Sequence, residues 1–176
     1  MTRRMRFFLA TVFLMPVAMP AHAESHGEAQ SFTAEVAGRD GAISGTATAR
    51  TTRSGMMLVT VDLAGVPGGT HAVHIHETGD CSAQDFTSAG GHVAGDASHG
   101  VLSEDGPHPG DLPNVQAHGG SHLRTTHFNA RLRPEHLGDE DGAAFVMHAG
   151  ADDYASQPAG AAGARIACGV FEKDAM

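Results

Sequence analysis

Short segments in which apolar and polar residues alternate make up most of the patterned part of this chain. The segment MLVTVDLAG, which starts at Met57, places apolar side chains at every second position, with Thr60 and Asp62 between them. SFTAEVAG, GAISGTATA, FVMHAG and ARIACGVFE have a similar character. Successive side chains of a strand point to opposite faces, so this pattern predicts half-buried strands. Many short strands, separated by some of the 23 glycines, indicate an antiparallel sandwich or barrel.

A long stretch from Gly79 to Gly110 lacks this alternation and is rich in Gly, Asp, Ser and His. Loops of this length inside a compact domain are usually functional or disordered, and the histidines near both ends favour a function. No internal repeat or separate linker is visible along the sequence. We therefore expect a single domain with one long functional loop.

The first 23 residues, MTRRMRFFLATVFLMPVAMPAHA, have the pattern of a secretory signal peptide. A basic start precedes an apolar run from Phe7 to Pro20, and AHA forms a small-x-small cleavage site. The alternative is a membrane anchor, but the apolar run is short and interrupted by proline. We expect cleavage after Ala23, a mature domain of residues 24–176, and a periplasmic or secreted protein. The Arg3-Arg4 pair leaves open whether export uses the Sec or the twin-arginine route.

The mature chain is strongly acidic. Removal of residues 1–23 takes away three arginines and no acidic residue, which leaves eight Lys+Arg against 20 Asp+Glu, a formal charge of −12. Such a chain repels nucleic acid and anionic membranes, and it contains no long basic cluster. We therefore expect neither nucleic acid nor, after signal cleavage, a membrane among its partners.

The chain contains two cysteines, Cys81 and Cys168. In an exported protein a pair of cysteines favours one disulfide, which would stabilise the domain by roughly 4–5 kcal/mol through loop closure. Ligation of a metal by the thiolates is the weaker alternative, because neither cysteine has a second thiol nearby as in a CxxC motif.

The segment HAVHIHETGDC concentrates histidines on a predicted strand. Residues two apart share a face, so His74 and His76 point one way, while Val73 and Ile75 point toward the core. His71 falls on the Val73 face and is not counted as a ligand. A lone histidine is usually a surface or hydrogen-bonded residue, but a His-x-His pair followed by histidine-bearing loops favours a metal site.

Further ligand-type residues follow along the chain. They are His92 in SAGGHV, His99 in SHG, His108 and Asp111 in HPGDLPN, and His148 in FVMHAGADDY. Together with the His-x-His pair they offer six imidazoles and one carboxylate. That number exceeds what one ion needs, so we expect two adjacent ions.

These motifs, in this order, resemble the copper/zinc superoxide dismutases in their exported bacterial form. The resemblance rests on HAVHIHETGDC, SAGGH, HG, HPGDLPN, HAGADDY and GARIACGV, and it runs from about Thr33 to Phe171. It implies an all-β fold, an eight-stranded antiparallel Greek-key β-barrel or sandwich with long metal-binding loops. The implied cofactors are Cu(II)/Cu(I) and Zn(II).

The resemblance also assigns ligands to each metal. The implied copper ligands are His74, His76, His92 and His148. The implied zinc ligands are His92, His99, His108 and Asp111, so that the ring of His92 bridges the metals. An all-imidazole set suits Cu(II), and three imidazoles with one carboxylate suit Zn(II). The span HVAGDASH between His92 and His99 is shorter than is usual in the family and lacks its Asn-Pro.

Three further assignments follow from the resemblance. Asp152 matches a carboxylate that links a copper histidine, His74, to a zinc histidine, His99. Arg165 matches an arginine that lies beside copper and directs the anionic substrate. Cys81 and Cys168 match the disulfide that ties the long loop to the last strand.

The implied reaction is 2 O₂⁻ + 2 H⁺ → O₂ + H₂O₂, with Arg165 and His92 as the catalytic residues. His92 takes up and returns a proton as copper changes its oxidation state. The alternative is a non-catalytic exported copper/zinc store or chaperone on the same fold, which needs no anion-directing arginine. Whether the protein forms a homodimer or remains a monomer stays open.

The remaining histidines carry weaker expectations. His118, His122, His127 and His136 lie in or near a predicted loop region and are expected to face solvent. Cleavage after Ala23 would create an N-terminus Glu24-Ser25-His26, whose amine, backbone amides and imidazole can chelate Cu(II).

Overall fold

The computed structural model describes residues 29–120 and 122–175. The predicted signal peptide and the predicted Glu24-Ser25-His26 terminus lie outside the described residues. No helix in the described part of the chain is long and apolar enough to cross a bilayer. The strands are β1 Ser31–Gly38, β2 Ser44–Thr51, β3 Met57–Ala64, β4 Gly69–His71, β5 Val73–His76, β6 Val115–Ala117, β7 Leu123–Asn129, β8 Ala144–His148 and β9 Arg165–Lys173; single 3₁₀ turns span Thr87–Ala89 and Pro134–His136.

The strands form one antiparallel, curled sheet that a short ribbon completes. The large sheet has the order β5-β8-β9-β1-β2-β3-β7, and β4 pairs with β6 in a two-stranded sheet. Only Ala72 separates β4 from β5, and β6 contacts β7, so the ribbon lies between the two ends of the large sheet. Counted as one bent strand, β4 and β5 give eight strands. The predicted all-β architecture is confirmed.

The alternating pattern of β3 is confirmed by its burial. Val59, Val61 and Leu63 have no exposed surface, whereas Thr60 and Asp62 on the other face are partly exposed. The buried face packs with side chains from every other long strand in one core. Burial of each such apolar side chain stabilises the fold by roughly 1.5–3 kcal/mol.

Strand β5 is buried on both faces, unlike an ordinary strand of an antiparallel sheet. Val73 and Ile75 enter the barrel core, as the alternation predicts. His74 and His76 point away from the core and are nevertheless buried, because the long loop between β5 and β6 covers them. The outer face of β5 therefore becomes the floor of a second, polar interior.

A disulfide between Cys81 and Cys168 fastens the long loop to β9. Beneath it, Phe86, Ala144 and Val146 form a small apolar cluster outside the main core. The predicted disulfide is confirmed, and both thiols are used in it.

Arg39 at the end of β1 also holds this part of the loop. Its guanidinium lies 3.9 Å from the centre of the Phe86 ring and donates to the carbonyl oxygens of Gln84 and Cys81 at 2.7 and 3.0 Å. The loop is therefore attached to the sheet at two places, by the disulfide and by the Arg39 guanidinium, which stacks on the Phe86 ring.

The expectation for the remaining histidines is confirmed in part. His118 and His122 are exposed, and His136 is partly exposed in the second 3₁₀ turn. The expectation is wrong for His127, which lies within β7 opposite Val59 and is half-buried, so that burial lowers the pKa of its ring. The sequence around His127 lacks a clear alternation of apolar and polar residues. Its half-buried position results from the pairing of β7 with β3.

Loss of the disulfide will destabilise the metal-free protein by roughly 4–5 kcal/mol, because the bond closes a loop across 87 residues of sequence separation. The variant Cys81→Ala/Cys168→Ala, compared with wild type by urea unfolding at pH 7, tests this. Adding a reductant should lower the stability of the wild type by the same amount and leave the variant unchanged. A loss below about 1 kcal/mol would contradict the loop-closure account.

Candidate metal centre

Four histidine rings meet over the outer face of β5. His74 and His76 come from β5, His148 ends the neighbouring strand β8, and His92 comes from the long loop. The His74 ring centre lies 4.0 Å from that of His92 and 5.0 Å from that of His148. One ring nitrogen of each of the four lies within 4.8 Å of the others. The four rings form the first cluster.

The converging nitrogens of the first cluster have no hydrogen-bond partner. In the described part of the chain, five buried side-chain polar atoms lack a partner, and four of them are His74 Nδ1, His76 Nε2, His92 Nε2 and His148 Nε2. An unpartnered buried polar atom costs on the order of 1–3 kcal/mol, so native folds rarely keep four together. A metal ion that these nitrogens can share removes the cost, and an all-imidazole set suits copper.

The opposite nitrogen of three of these rings is held by an oxygen. His74 Nε2 donates to Asp152 Oδ2 at 2.8 Å, His76 Nδ1 to the Gly90 oxygen at 3.0 Å, and His148 Nδ1 to the Gly163 oxygen at 3.1 Å. Each of these bonds fixes the tautomer and leaves the lone pair on the nitrogen that faces the cluster.

Three of the four rings in the first cluster, those of His74, His76 and His148, are uncharged at neutral pH. Burial, followed by smaller electrostatic effects such as repulsion from His92, lowers the pKa of His76 to about 2. Burial, again with smaller contributions, lowers the pKa of His74 and of His148 to about 4 each. A neutral imidazole is the form that binds a metal, so no proton has to leave these three rings before binding.

A second cluster is organised around the carboxylate of Asp111. Its Oδ1 lies 2.9 Å from His92 Nδ1, 3.1 Å from His99 Nδ1 and 3.2 Å from His108 Nδ1. Its Oδ2 accepts the backbone N–H groups of Gly100 and His108 at 2.8 and 2.9 Å. Burial raises the pKa of Asp111, but the interactions with His92 and with these N–H groups outweigh it and lower the pKa overall. Three Nδ1 atoms and a carboxylate form the donor set that suits zinc.

Distance alone also allows a group in which His74 replaces His108 beside His92, His99 and Asp111. The hydrogen bonds decide between the two groups, because His74 Nε2 is used by Asp152 while its Nδ1 faces the first cluster. The structure therefore places His108 in the second cluster. The shortened span between His92 and His99 does not prevent His99 from reaching Asp111.

His92 belongs to both clusters. Its Nε2 is one of the unpartnered nitrogens of the first cluster, and its Nδ1 faces Asp111 in the second. The loop holds it there through β-type pairing with β5, because the Val93 N–H donates to the Ile75 oxygen at 2.9 Å. Gly110 packs directly against the same part of β5. Only glycine fits there, because the Cβ atom of any other residue would lie 2.2 Å from the Ile75 oxygen.

Asp152 also joins the two clusters, through its two carboxylate oxygens. Its Oδ2 accepts from His74 and its Oδ1 from His99 Nε2 at 3.0 Å. Burial raises the pKa of Asp152, but the hydrogen bonds from His74 and His99 outweigh it and bring the pKa to about 2. Gly160, with φ +69°, lies so close that an added side chain would stand 1.8 Å from Asp152 Oδ1.

Arg165 lies next to the first cluster at the start of β9. Its guanidinium donates to the carbonyl oxygens of Phe86 and Gly90, both at 2.7 Å. The Gly90 oxygen also accepts from His76, so the arginine and this histidine share one anchor. Burial lowers the pKa of Arg165, and its charge contributes to the lowered pKa of His76 and His148. Arg165 thus supplies a partly buried positive charge beside the first cluster.

The structure brings together every residue that the sequence placed in the two clusters, and it keeps His71 out of them. Both ring nitrogens of His71 face carbonyl oxygens, those of His148 at 2.9 Å and Pro67 at 3.0 Å. Sequence reasoning missed Asn114, whose carboxamide pairs with both backbone groups of Asp152. It also missed the carbonyl groups of Gly90 and Gly163, because backbone acceptors carry no side-chain signal.

The chain matches the family model described as copper/zinc superoxide dismutase (SODC) over residues 43–171. It is 40% identical over 151 residues to a Cu-Zn superoxide dismutase of Caulobacter vibrioides, a match that covers 81% of this chain and 86% of that one. It is also 40% identical over 145 residues to Cu-Zn superoxide dismutase 2 of Aquifex aeolicus, with 78% and 84% covered.

Among solved structures, the fold is similar to the crystal structure of a SOD-like protein from Bacillus subtilis. The TM-score is 0.70 at 32% identity, and the match covers 78% of this chain and 96% of that one. Fold and sequence comparisons therefore point to the same group of proteins.

The metal-free protein will lose stability as the pH falls from 6.5 toward 4. The unfolded chain takes up protons at histidine near pH 6.5, whereas folded His74 and His148 do so near pH 4. The unfolded state therefore binds more protons in this window, and each of these rings lowers the free energy of unfolding by on the order of 2 kcal/mol at pH 5 relative to pH 8.

Urea unfolding across this pH range measures the effect. The variant His148→Gln should show a shallower pH dependence, and His118→Gln, a change at an exposed site, should match the wild type. Equal stability of the wild type at pH 5 and pH 8 would contradict the burial of neutral imidazoles.

Proposed function

The chain belongs to the copper/zinc superoxide dismutase family, and on that premise we propose that it catalyses 2 O₂⁻ + 2 H⁺ → O₂ + H₂O₂. One observation carries the proposal. Four buried ring nitrogens converge without a partner, and the second nitrogen of one of these rings, His92, faces a histidine–carboxylate cluster. Such an arrangement fits two metal ions that share one imidazole.

We propose His74, His76, His92 and His148 as the residues that hold copper. His92, His99, His108 and Asp111 are the residues proposed to hold zinc. When bound, copper supplies one-electron redox chemistry, and zinc supplies a fixed positive charge without changing its oxidation state.

His92 is proposed to move a proton during the reaction. Its Nε2 faces the copper cluster and has no protein partner, while Nδ1 stays against the zinc cluster. A ring held at Nδ1 can carry a proton at Nε2 without losing its orientation, so the proton is delivered next to the substrate. Asp152 supports this geometry because it fixes both His74 and His99.

Arg165 is proposed to bind the superoxide anion beside copper. The mature chain has a formal charge of −12, so its overall field opposes the approach of an anion. A guanidinium that two carbonyl oxygens hold in place provides a local positive charge at the cluster. The attraction acts over a short range and weakens with salt.

The alternative, a copper or zinc store on the same fold, explains the ligands but not Arg165. A cation beside a copper cluster weakens the binding of a positive ion, as its effect on the pKa of His76 and His148 indicates. A positive charge that weakens metal binding is useful only where an anion must also bind. The position of Arg165 therefore favours an enzyme.

We also propose export, with residues 1–23 removed as a signal peptide and residues 24–176 as the mature domain. The disulfide supports an oxidising compartment, and the relatives from Caulobacter vibrioides and Aquifex aeolicus are bacterial. A homodimer stays a prediction, as does the absence of nucleic acid and membrane among the partners.

Protein loaded with copper and zinc should dismutate superoxide, and removal of the metals by a chelator should abolish the activity. Arg165→Gln should lower kcat/KM by roughly tenfold and flatten its dependence on ionic strength, because the local attraction is lost. Arg165→Lys should retain part of the rate.

Arg124→Gln is the matched control, since it changes the net charge equally on β7, at the other edge of the large sheet from β5. His92→Gln should reduce turnover far more than it reduces copper content. Full metal binding without turnover in the wild type would assign the protein to the store or chaperone class.

N-terminal sequencing of the protein recovered from the periplasm tests the proposed export. The expected first residue is Glu24, and copper titration of that protein then tests chelation by Glu24-Ser25-His26. A protein found with Met1 intact in the cytoplasm would contradict export.

A further inference from the structure

We propose that Gln157 is a positioning residue for the zinc cluster, a role that rests on the proposed function of that cluster. Its carboxamide binds both backbone groups of His99 and so fixes the direction of the His99 ring. Nothing in the sequence pattern of the ASQPAGAAGA segment points to this role.

Both ends of the Gln157 carboxamide contact the backbone of His99, and its Nε2 also donates to the Ala155 oxygen at 3.0 Å. Its Oε1 accepts the His99 N–H at 2.9 Å, and its Nε2 donates to the His99 carbonyl oxygen at 2.9 Å. The same Nε2 lies 3.2 Å from Ser103 Oγ, whose hydroxyl also donates to the His99 oxygen. A side-chain amide thus pairs with a backbone amide in both directions, as a neighbouring strand would.

His99 needs such support because no strand holds it. It lies in the long loop, is fully buried, and uses both ring nitrogens, Nδ1 toward Asp111 and Nε2 toward Asp152. Small rotations of its backbone would swing the ring away from both carboxylates. Residues that orient a metal ligand in this way typically change metal affinity by 10–100-fold when they are replaced.

A second carboxamide, that of Asn114, holds the backbone of Asp152, which accepts the hydrogen bond from His99 Nε2. Asn114 Oδ1 accepts the Asp152 N–H at 2.8 Å, and its Nδ2 donates to the Asp152 oxygen at 2.9 Å. The hydrogen bond from His99 to Asp152 is therefore fixed at both ends by a carboxamide. Two clamps of equal chemistry on the two members of one bond support a positioning role for Gln157.

Gln157 is presented by a turn that has its own hydrogen bonds. Asp153 Oδ1 accepts the N–H groups of Ala155 and Ser156 at 3.0 and 2.8 Å, and the Asp153 N–H donates to the Gly160 oxygen at 3.0 Å. Gln157 itself is exposed, so its replacement leaves the barrel core intact. Its loss can therefore be studied in a folded protein.

The test compares Gln157→Met, which removes donor and acceptor, with Gln157→Glu, which keeps an acceptor for the His99 N–H. Gln116→Met on β6 is the matched control, an exposed glutamine outside both clusters. Zinc affinity is measured by competition with a chelator, and the geometry of the site by the visible spectrum of bound Co(II). Amide hydrogen exchange of His99 in the metal-free protein reports on the clamp directly.

Gln157→Met should bind zinc roughly tenfold more weakly, change the Co(II) spectrum and lose protection of the His99 amide. Gln157→Glu should retain that protection, and Gln116→Met should behave as the wild type in all three measurements. Wild-type zinc affinity and a protected His99 amide in Gln157→Met would overturn the inference. A wild-type protein that binds no zinc would refute the proposed zinc site instead, while amide exchange would still decide whether Gln157 clamps His99.

Discussion

The burial of unpartnered imidazole nitrogens is the constraint on which the rest of the structure depends. His76 Nε2 and its three counterparts are buried from bulk solvent and have no hydrogen-bond partner in the protein. The fold therefore carries a polar interior that is unfavourable until ligands or metals occupy it. The same burial keeps the rings of His74, His76 and His148 neutral, because a buried protonated ring would lose its hydration.

This interior exists because one strand serves two purposes. Val73 and Ile75 anchor β5 in the barrel core, and the alternating histidines on its other face form the floor of the candidate metal centre. Movement of β5 would therefore disturb core packing and ligand geometry together. The loop that covers the histidines gains its position from strand-like pairing with β5, from the disulfide and from the Arg39 contacts.

Backbone carbonyl groups of the long loop orient side chains of the first cluster and its neighbour Arg165. The Gly90 oxygen accepts from His76 and from Arg165, so one loop residue orients both a proposed copper ligand and the charge proposed to bind the anion. In the same way, side-chain amides hold residues of the proposed zinc cluster and its neighbour, since Asn114 binds the backbone of Asp152 and Gln157 binds that of His99. Much of the precision of the centre thus comes from groups that are not ligands themselves.

The sequence by itself determined most of the long strands, though not β7, and it indicated two sets of ligand-type residues, because alternation and His-x-His spacing are local properties. It placed His74 and His76 on one face without any knowledge of the rest of the chain. Only the tertiary structure decided which nitrogen of each ring is free, since that depends on acceptors distant in sequence, such as Asp152 and Gly163. The inward position of His127 and the clamp by Gln157 likewise depend on contacts between segments that no local pattern encodes.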